Sequence, residues 1–469
     1  MIYEQLLQKT DGVVHAGLIG CGNFGSTIVT QGSTVPRLQL RVVAERDEAR
    51  AAQAYRDAGV PEERIKLCET LAQAKEAYEG GYHVIVRDAL LLMEMALDVI
   101  VCCTRSPEWG ACYAAAAITA GKHVVMVDKE ADSVVGSILK RKADEKGVVF
   151  TTDDGDEPGL LMGLIGWARS IGLEVLAGGN THEALFDPDA GTVSSRGKVI
   201  PLSGEQLRLM DRVRPDNLRE VIEARRKLTE SFRIDEECGD PYCHMAVAAN
   251  GTGLLPDREH PLHPLVYWDE LPSVLIPREM GGINDKVRHS VDIPTVIRKK
   301  GEPPYGGSVY MVVQCHNEFA MEKMRRKGFI TNFDTSAGVL YRPYHLCGAE
   351  TAMSILCAGL LGIPTGSMEI LPRVDIICTA RRAMSKGEII GPEGDSGWNR
   401  DFCCTLSPGL MLGRDAPIPF FMLEGNRLAC DIEKDAVITL GMVEEPKDSA
   451  LWALRFEQDR VFADMLKKR

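Results

Sequence analysis

At 469 residues the chain exceeds what one ordinary core accommodates, so two or three domains are expected. An apolar share of 45% and a charged share of 26% are those of a globular protein, and a net charge of −13 repels both nucleic acid and anionic membrane, so neither is an expected partner. The fourteen cysteines are scattered, two pairs of them (Cys102–Cys103 and Cys403–Cys404) are chain neighbours, and no apolar leader is evident; reduced thiols in a cytoplasmic setting are the expectation.

Val13–Ile19 reads as a buried parallel strand, and Gly20-Cys21-Gly22-Asn23-Phe24-Gly25 follows it directly, with Phe24–Thr30 able to open a helix. This is G-x-G-x-x-G between a strand and a helix. The first glycine permits the tight turn, the second lets backbone approach a pyrophosphate, and the third lets helix and strand pack closely. Gly20, Gly22, Asn23, Phe24 and Gly25 are therefore candidate dinucleotide contacts. A second strand, Leu38–Ala44, delivers Glu45, twenty residues beyond Gly25, where a carboxylate would hold the ribose hydroxyls of NAD. Arg46 would instead meet the extra phosphate of NADP, so the cofactor is NAD or NADP; the bland alternative makes Glu45 a solvated strand end.

The apolar stretch Leu90–Cys103, interrupted by Glu94 and Asp98, fits a helix followed by a buried strand rather than a membrane span. Strands at Asp98–Thr104, Lys122–Val127 and Val148–Thr152 alternate with helices at Ser106–Ala120 and Ala131–Glu145, which indicates a doubly wound parallel sheet over 1–157. Ligands of such sheets sit beyond the strand C-termini. That rule brings forward Thr104, Lys129 and the run Asp153-Asp154-Gly155-Asp156-Glu157. Lys129 would polarise a carbonyl or give it a proton, or else is a surface lysine paired with Asp128 or Glu130. Asp154, Asp156 and Glu157 are candidate ligands of a divalent cation, Asp156 a candidate general base and Asp154 a substrate contact. The same acids also suit the N-terminus of a helix opening at Pro158.

Cys238, Cys243, His244, His260 and His263 have spacings too loose for a zinc site and read as ordinary loop residues. Further on, Leu346–Leu361 has helical periodicity, which sets His345 and Glu350 as candidate catalytic groups and Arg342 as a contact for a substrate carboxylate or phosphate. From Pro372 the texture changes. A strand at Arg373–Ala380, a turn at Lys386-Gly387-Glu388, a loop at 391–397 and short strands near 418–423, 427–431 and 436–443 describe a small all-β module, closed by an amphipathic helix within Glu444–Arg469.

Together, the Gly20–Gly25 loop, Gly155-Asp156-Glu157-Pro158 with Gly166-Trp167-Ala168-Arg169, the run Leu340–Leu346, and Thr379-Ala380-Arg381-Arg382 through Lys386-Gly387-Glu388 resemble a known family. It is the homoserine-dehydrogenase-like NAD(P)-dependent oxidoreductases with a C-terminal SAF-type β-clip, in particular the 1-deoxy-D-xylulose 5-phosphate reductoisomerase-like branch. The resemblance implies a Rossmann domain (1–157), a central α+β substrate and dimerisation domain (158–371) and a SAF-like domain (372–469), assembled as a homo-oligomer. At Gly178-Gly179-Asn180-Thr181-His182 the chain departs from the Gly-Lys-Gly-Thr-Lys of that family, so the likeness extends to fold and not to a particular phosphorylated substrate.

The expected function is hydride transfer to or from a small polar hydroxy or keto compound, with isoprenoid-precursor reductoisomerase activity as its finer form. Two readings compete. One is a cofactor-bound sensor or scaffold without turnover, the other a lyase or aldolase that keeps NAD structurally.

Overall fold

The computed structural model describes residues 2–232, 239–305, 307–391 and 398–467, and it divides into two compact units. Neither is one contiguous block. The first comprises Met1–Gly159, Leu346–Pro372 and Glu445–Arg469; the second comprises Leu160–His345 and Arg373–Glu444. The segments 346–372 and 445–469 thus return to the first unit instead of closing the central and C-terminal blocks expected from the sequence.

The first unit is built on seven strands: β1 (Val14–Ile19), β2 (Leu38–Ala44), β3 (Ile65–Leu67), β4 (His83–Val86), β5 (Val99–Cys102), β6 (His123–Met126) and β7 (Phe150–Thr152). All neighbours pair in parallel, in the order β3-β4-β2-β1-β5-β6-β7. Short runs of Val, Ile and Leu suit strands buried on both faces, and Val14, Leu18, Val43, Val99 and Val101 form the core with Ile28 and Tyr55. The order reverses at β1, which makes the crevice beyond its C-terminus the ligand position of the sheet.

Helices cover the sheet, with local signals at their ends. Ser106 caps Pro107–Thr119, whose first residue is the tolerated N-terminal proline. Thr70 and Gln73 form a capping box on Leu71–Glu79, and Lys129–Lys146 stops at Gly147, where φ is 75°. The stretch expected as a helix before β5 is a single 3-10 segment, Ala89–Glu94.

Two returning segments brace this unit. Ala352, Ile355, Leu356 and Ala358 enter its core. The C-terminal helix Ala450–Val461 is anchored by Glu108, which accepts the Ala450 N–H at 2.7 Å. Further along that helix, Gln458 donates to Val134 O at 3.0 Å and accepts from Ile138 N at 3.2 Å, so its amide bridges groups of Lys129–Lys146 one turn apart.

The second unit holds a small antiparallel pair and two larger sheets. One contains β8 (Glu174–Asn180), the other β9 (His182–Asp187), β10 (Thr192–Ser195) and β11 (Lys198–Pro201). Strands β12 (Leu255–Pro256), β13 (Leu265–Val266), β14 (Ser290–Val291), β15 (Thr295–Lys299), β16 (Val309–Gln314), β17 (Ile330–Thr331) and β18 (Ala337–Arg342) complete them, in the orders β12-β14-β8-β16-β18-β17 and β11-β10-β9-β15-β13. Two apolar clusters fill the interior, one around Trp268, Tyr310 and Val312, the other around Phe186, Val193 and Tyr267. Beneath them Arg225, wholly buried, reaches Glu270 with two nitrogens at 2.6 and 3.2 Å.

The last part of this unit contains an antiparallel pair, β19 (Val374–Ala380) with β20 (Phe402–Pro408). The short strands expected near 418–423, 427–431 and 436–443 are instead 3-10 turns at Phe420–Met422 and Leu440–Met442, joined by isolated bridges such as Thr379–Val437 and Ile389–Arg427. Of the expected loop, residues 392–397 lie outside the described residues, as does Cys238. Among the described residues no helix is long and apolar enough to cross a membrane.

Candidate active site at the carboxyl edge of the parallel sheet

The loop after β1 is held tightly by its own backbone. A Cβ on Gly20, where φ is 90°, would lie 2.1 Å from Cys103 O, and one on Gly25 would lie 2.3 Å from Gly20 O. Both positions demand glycine for the fold itself. Gly22 is different: its φ is −68°, and a Cβ there would meet nothing within 4 Å. The protein alone does not require glycine at that point, whereas a closely approaching phosphate would. The helix Asn23–Gly32 begins here with no side-chain cap, so its first-turn N–H groups remain for an anion. These features fit a dinucleotide.

Glu45 closes the other side of the loop. One carboxylate oxygen accepts the Cys21 N–H at 2.7 Å and the other accepts that of Asp47 at 3.0 Å. The acid is therefore fixed against the loop, not a freely solvated strand end, and Arg46 beside it is exposed. Thr104 is oriented by Asp128: the Thr104 hydroxyl donates to Asp128 at 2.9 Å, and the Arg105 N–H donates to the other oxygen at 2.7 Å.

Lys129 opens the helix after β6 and Asp156 ends the loop after β7, on the adjacent strand. Their side chains form an ion pair, with Asp156 almost fully buried and Lys129 mostly so. The Lys129 ammonium also lies 5.8 Å from the Phe24 ring centroid, which ties the pair to the glycine loop. The second Asp156 oxygen accepts the Glu157 N–H at 2.8 Å.

Behind the pair lie Asp153, from the acidic run that the sequence brings forward, and two further buried acids, Asp128 and Asp132. Burial, then the neighbouring Asp156, pushes Asp153 up to about 8, although the Thr351 hydroxyl donates to it at 3.1 Å. Burial also pushes Asp128 and Asp132 up to about 7. The returning segment sets this shell: Ser354 accepts the Asp154 N–H at 2.9 Å and lies 2.6 Å from the Thr365 hydroxyl. Gly348, at φ 74°, lets the segment approach Phe24 O, which a Cβ would meet at 2.8 Å. Hydroxyl residues three apart at Thr351 and Ser354 were the available signal, but nothing local says what they face.

The remaining candidates have local partners of their own. His345 and Arg342 belong to the second unit: His345 Nδ1 lies 2.7 Å from Gly307 O, and the Arg342 guanidinium sits 5.3 Å from the Tyr344 ring centroid. Glu350 belongs to the first unit and accepts the Leu346 N–H at 3.2 Å, a local turn contact. The helix expected from Leu346 starts only at Thr351 and widens into a π-helical turn at Cys357–Leu361, so neither His345 nor Glu350 lies on it.

The parallel sheet and its glycine loop define a Rossmann-type α/β unit. Within the chain, residues 155–351 match the family model described as the catalytic domain of oxidoreductase DRL. No curated protein matches the chain. Among solved structures, biliverdin reductase from Synechocystis, in complex with biliverdin and NADP+, is 19% identical over 38% of this chain and 48% of that one, with a TM-score of 0.24. A 3-ketoreductase from Actinomadura kijaniata, in complex with TDP-benzene and NADP, is 16% identical over 39% and 51%, with a TM-score of 0.25. Apo scyllo-inositol dehydrogenase from Lactobacillus casei is 14% identical over 39% and 48%, with a TM-score of 0.25. The alignments thus span about half the length of these structures.

Proposed function

We propose that the chain is an NAD(P)-dependent oxidoreductase that transfers a hydride to or from a small polar hydroxy or keto compound. The observation that carries this reading is the Lys129–Asp156 ion pair set against Phe24 of the glycine loop. It brings a proton-handling pair beside the loop suited to a dinucleotide, at the sheet's carboxyl edge. The family-model match of residues 155–351 to an oxidoreductase catalytic domain supports the same class.

In this reading Gly20, Gly22, Asn23, Phe24 and Gly25 hold the pyrophosphate, and Glu45 receives the ribose hydroxyls. A bound nicotinamide supplies or accepts the hydride. Lys129 gives a proton to the substrate oxygen during reduction and withdraws it during oxidation, while Asp156 fixes the ammonium and stabilises its charge. Thr104, held by Asp128, lines the crevice.

The finer form is a reductoisomerase acting on 1-deoxy-D-xylulose 5-phosphate, with a SAF-like C-terminal part. It rests on the resemblance carried by Gly155–Pro158 and Tyr341–Leu346, and the lysine-free run Gly178–His182 counts against that substrate.

The test is oxidation of NADH and NADPH by the full chain with a panel of small keto compounds and 1-deoxy-D-xylulose 5-phosphate, with and without Mg2+. Turnover that falls at least about 100-fold in Lys129→Met supports the reading. Failure of both nucleotides to bind, or turnover indifferent to Lys129→Met, overturns it.

A further inference from the structure

A separate set of buried polar side chains lies in the second unit, where two strands change sheets. β8 ends at Asn180 and β9 begins at His182; β14 ends at Val291 and β15 begins at Thr295. β14 pairs with β8 in one sheet and β15 pairs with β9 in the other, so both chains cross over at the same level and the ladder opens there.

Backbone groups at the opening are satisfied. The Thr181 N–H donates to Ser308 O, that of His182 to Pro294 O and that of Thr295 to Pro264 O, each at 2.9 Å. The side chains differ. Asn180 Oδ1, His182 Nε2 and Thr295 Oγ1 are buried with no hydrogen-bond partner. His182 and Thr295 are register partners on parallel strands, so their side chains leave the sheet on one face. An orphaned buried polar group is destabilising, so three at one crossover are a costly arrangement unless something pairs with them.

Electrostatics narrow what that is. Burial, then Arg196, His263 and His244, holds the His182 imidazole down to about 3, so the ring is neutral and can donate a hydrogen bond. Asp292 is the carboxylate beside His263. It accepts backbone N–H groups from Leu262 at 2.9 Å, His263 at 3.1 Å and Ile293 at 2.7 Å. Burial nonetheless dominates these donors and raises Asp292 above the ordinary carboxylate range, which disfavours its charged form. Arg196, at the β10–β11 turn, supplies positive charge towards the half-buried His182.

We propose that this crossover binds a small hydroxylated anion, with Thr295 Oγ1 and His182 Nε2 donating to its oxyanion and Asn180 Oδ1 accepting from its hydroxyl. The inference rests on the oxidoreductase reading only in taking this anion to be the substrate class. It lies within the segment that matches the oxidoreductase catalytic domain.

The experiment is calorimetric titration of the full chain, without dinucleotide, with glycolate and with glycerol 1-phosphate, and acetate as the probe lacking a hydroxyl. Saturable binding of glycolate or glycerol 1-phosphate, weakened at least about tenfold in Thr295→Val and in His182→Phe, is expected. The stronger of the two shows whether a carboxylate or a phosphate is preferred. Thr295→Val removes an orphaned hydroxyl at nearly constant volume, so its Tm should be unchanged or higher, which separates a binding defect from misfolding. Lack of binding by both probes, or equal binding by both variants, overturns the proposal. Because no nucleotide is present, that failure is distinct from failure of the hydride-transfer reading.

Discussion

Lys129 and Asp156 come from the ends of neighbouring parallel strands and meet as an ion pair at the carboxyl edge of the sheet. The lysine is thereby oriented beside Phe24 while remaining partly exposed. A pair built only for stability would be expected to lose little on conservative replacement. A pair that moves a proton loses rate instead.

Lys129→Met and Asp156→Asn should each lower kcat by about 10²–10⁴-fold while changing NADH affinity by less than about threefold. Steady-state kinetics alongside nucleotide titration separates the two effects. Equal losses in nucleotide affinity would make the pair a cofactor contact instead.

The glycine loop separates folding from binding within six residues. Gly20→Ala and Gly25→Ala drive a Cβ into backbone oxygens and should lower Tm by several degrees. Gly22→Ala meets open space, so its Tm should match the parent while nucleotide affinity falls at least about tenfold. Thermal melts and titrations of the three variants check this directly.

Much of this loop was legible because its signals are local. β1 and β2 are rich in apolar and β-branched residues, and the glycine spacing between strand and helix needs no distant partner. β3 was not, since Ile65–Leu67 is three residues long and mostly exposed. The helix start at Leu346 was misplaced because periodicity cannot register Gly348 turning left-handed at φ 74°. Nor could the sequence pair Thr351 with Asp153, 198 residues away.

Stability should fall with rising pH across the neutral range. Burial raises Asp128 and Asp132 to about 7 and Asp153 to about 8, above the unfolded carboxylate value of about 4. Between those limits the native state binds more protons than the unfolded state, so ΔG of unfolding drops as pH increases. Asp132→Asn should flatten that slope and gain about 2–4 kcal/mol relative to the parent at pH 8 compared with pH 4. Urea unfolding at the two pH values reads it.

Arg225 is committed to Glu270 and to the carbonyls of Leu209, Leu265 and Asp211. Glu270 in turn accepts the backbone N–H groups of Val213 at 2.8 Å and Tyr267 at 2.9 Å. Arg225→Met strands a buried carboxylate and should cost about 3–5 kcal/mol by urea denaturation. Replacing Glu270 as well, with Gln, should recover part of that loss.

The most direct measurement is fluorescence titration of the full chain with NADH and NADPH, beside Gly22→Ala. The account predicts saturable binding of at least one nucleotide with Kd below about 1 mM, weakened at least about tenfold by the substitution at unchanged Tm. Glu45, fixed against the loop, predicts that NADH is the tighter of the two. No saturable binding of either nucleotide, or binding indifferent to Gly22→Ala, would contradict it.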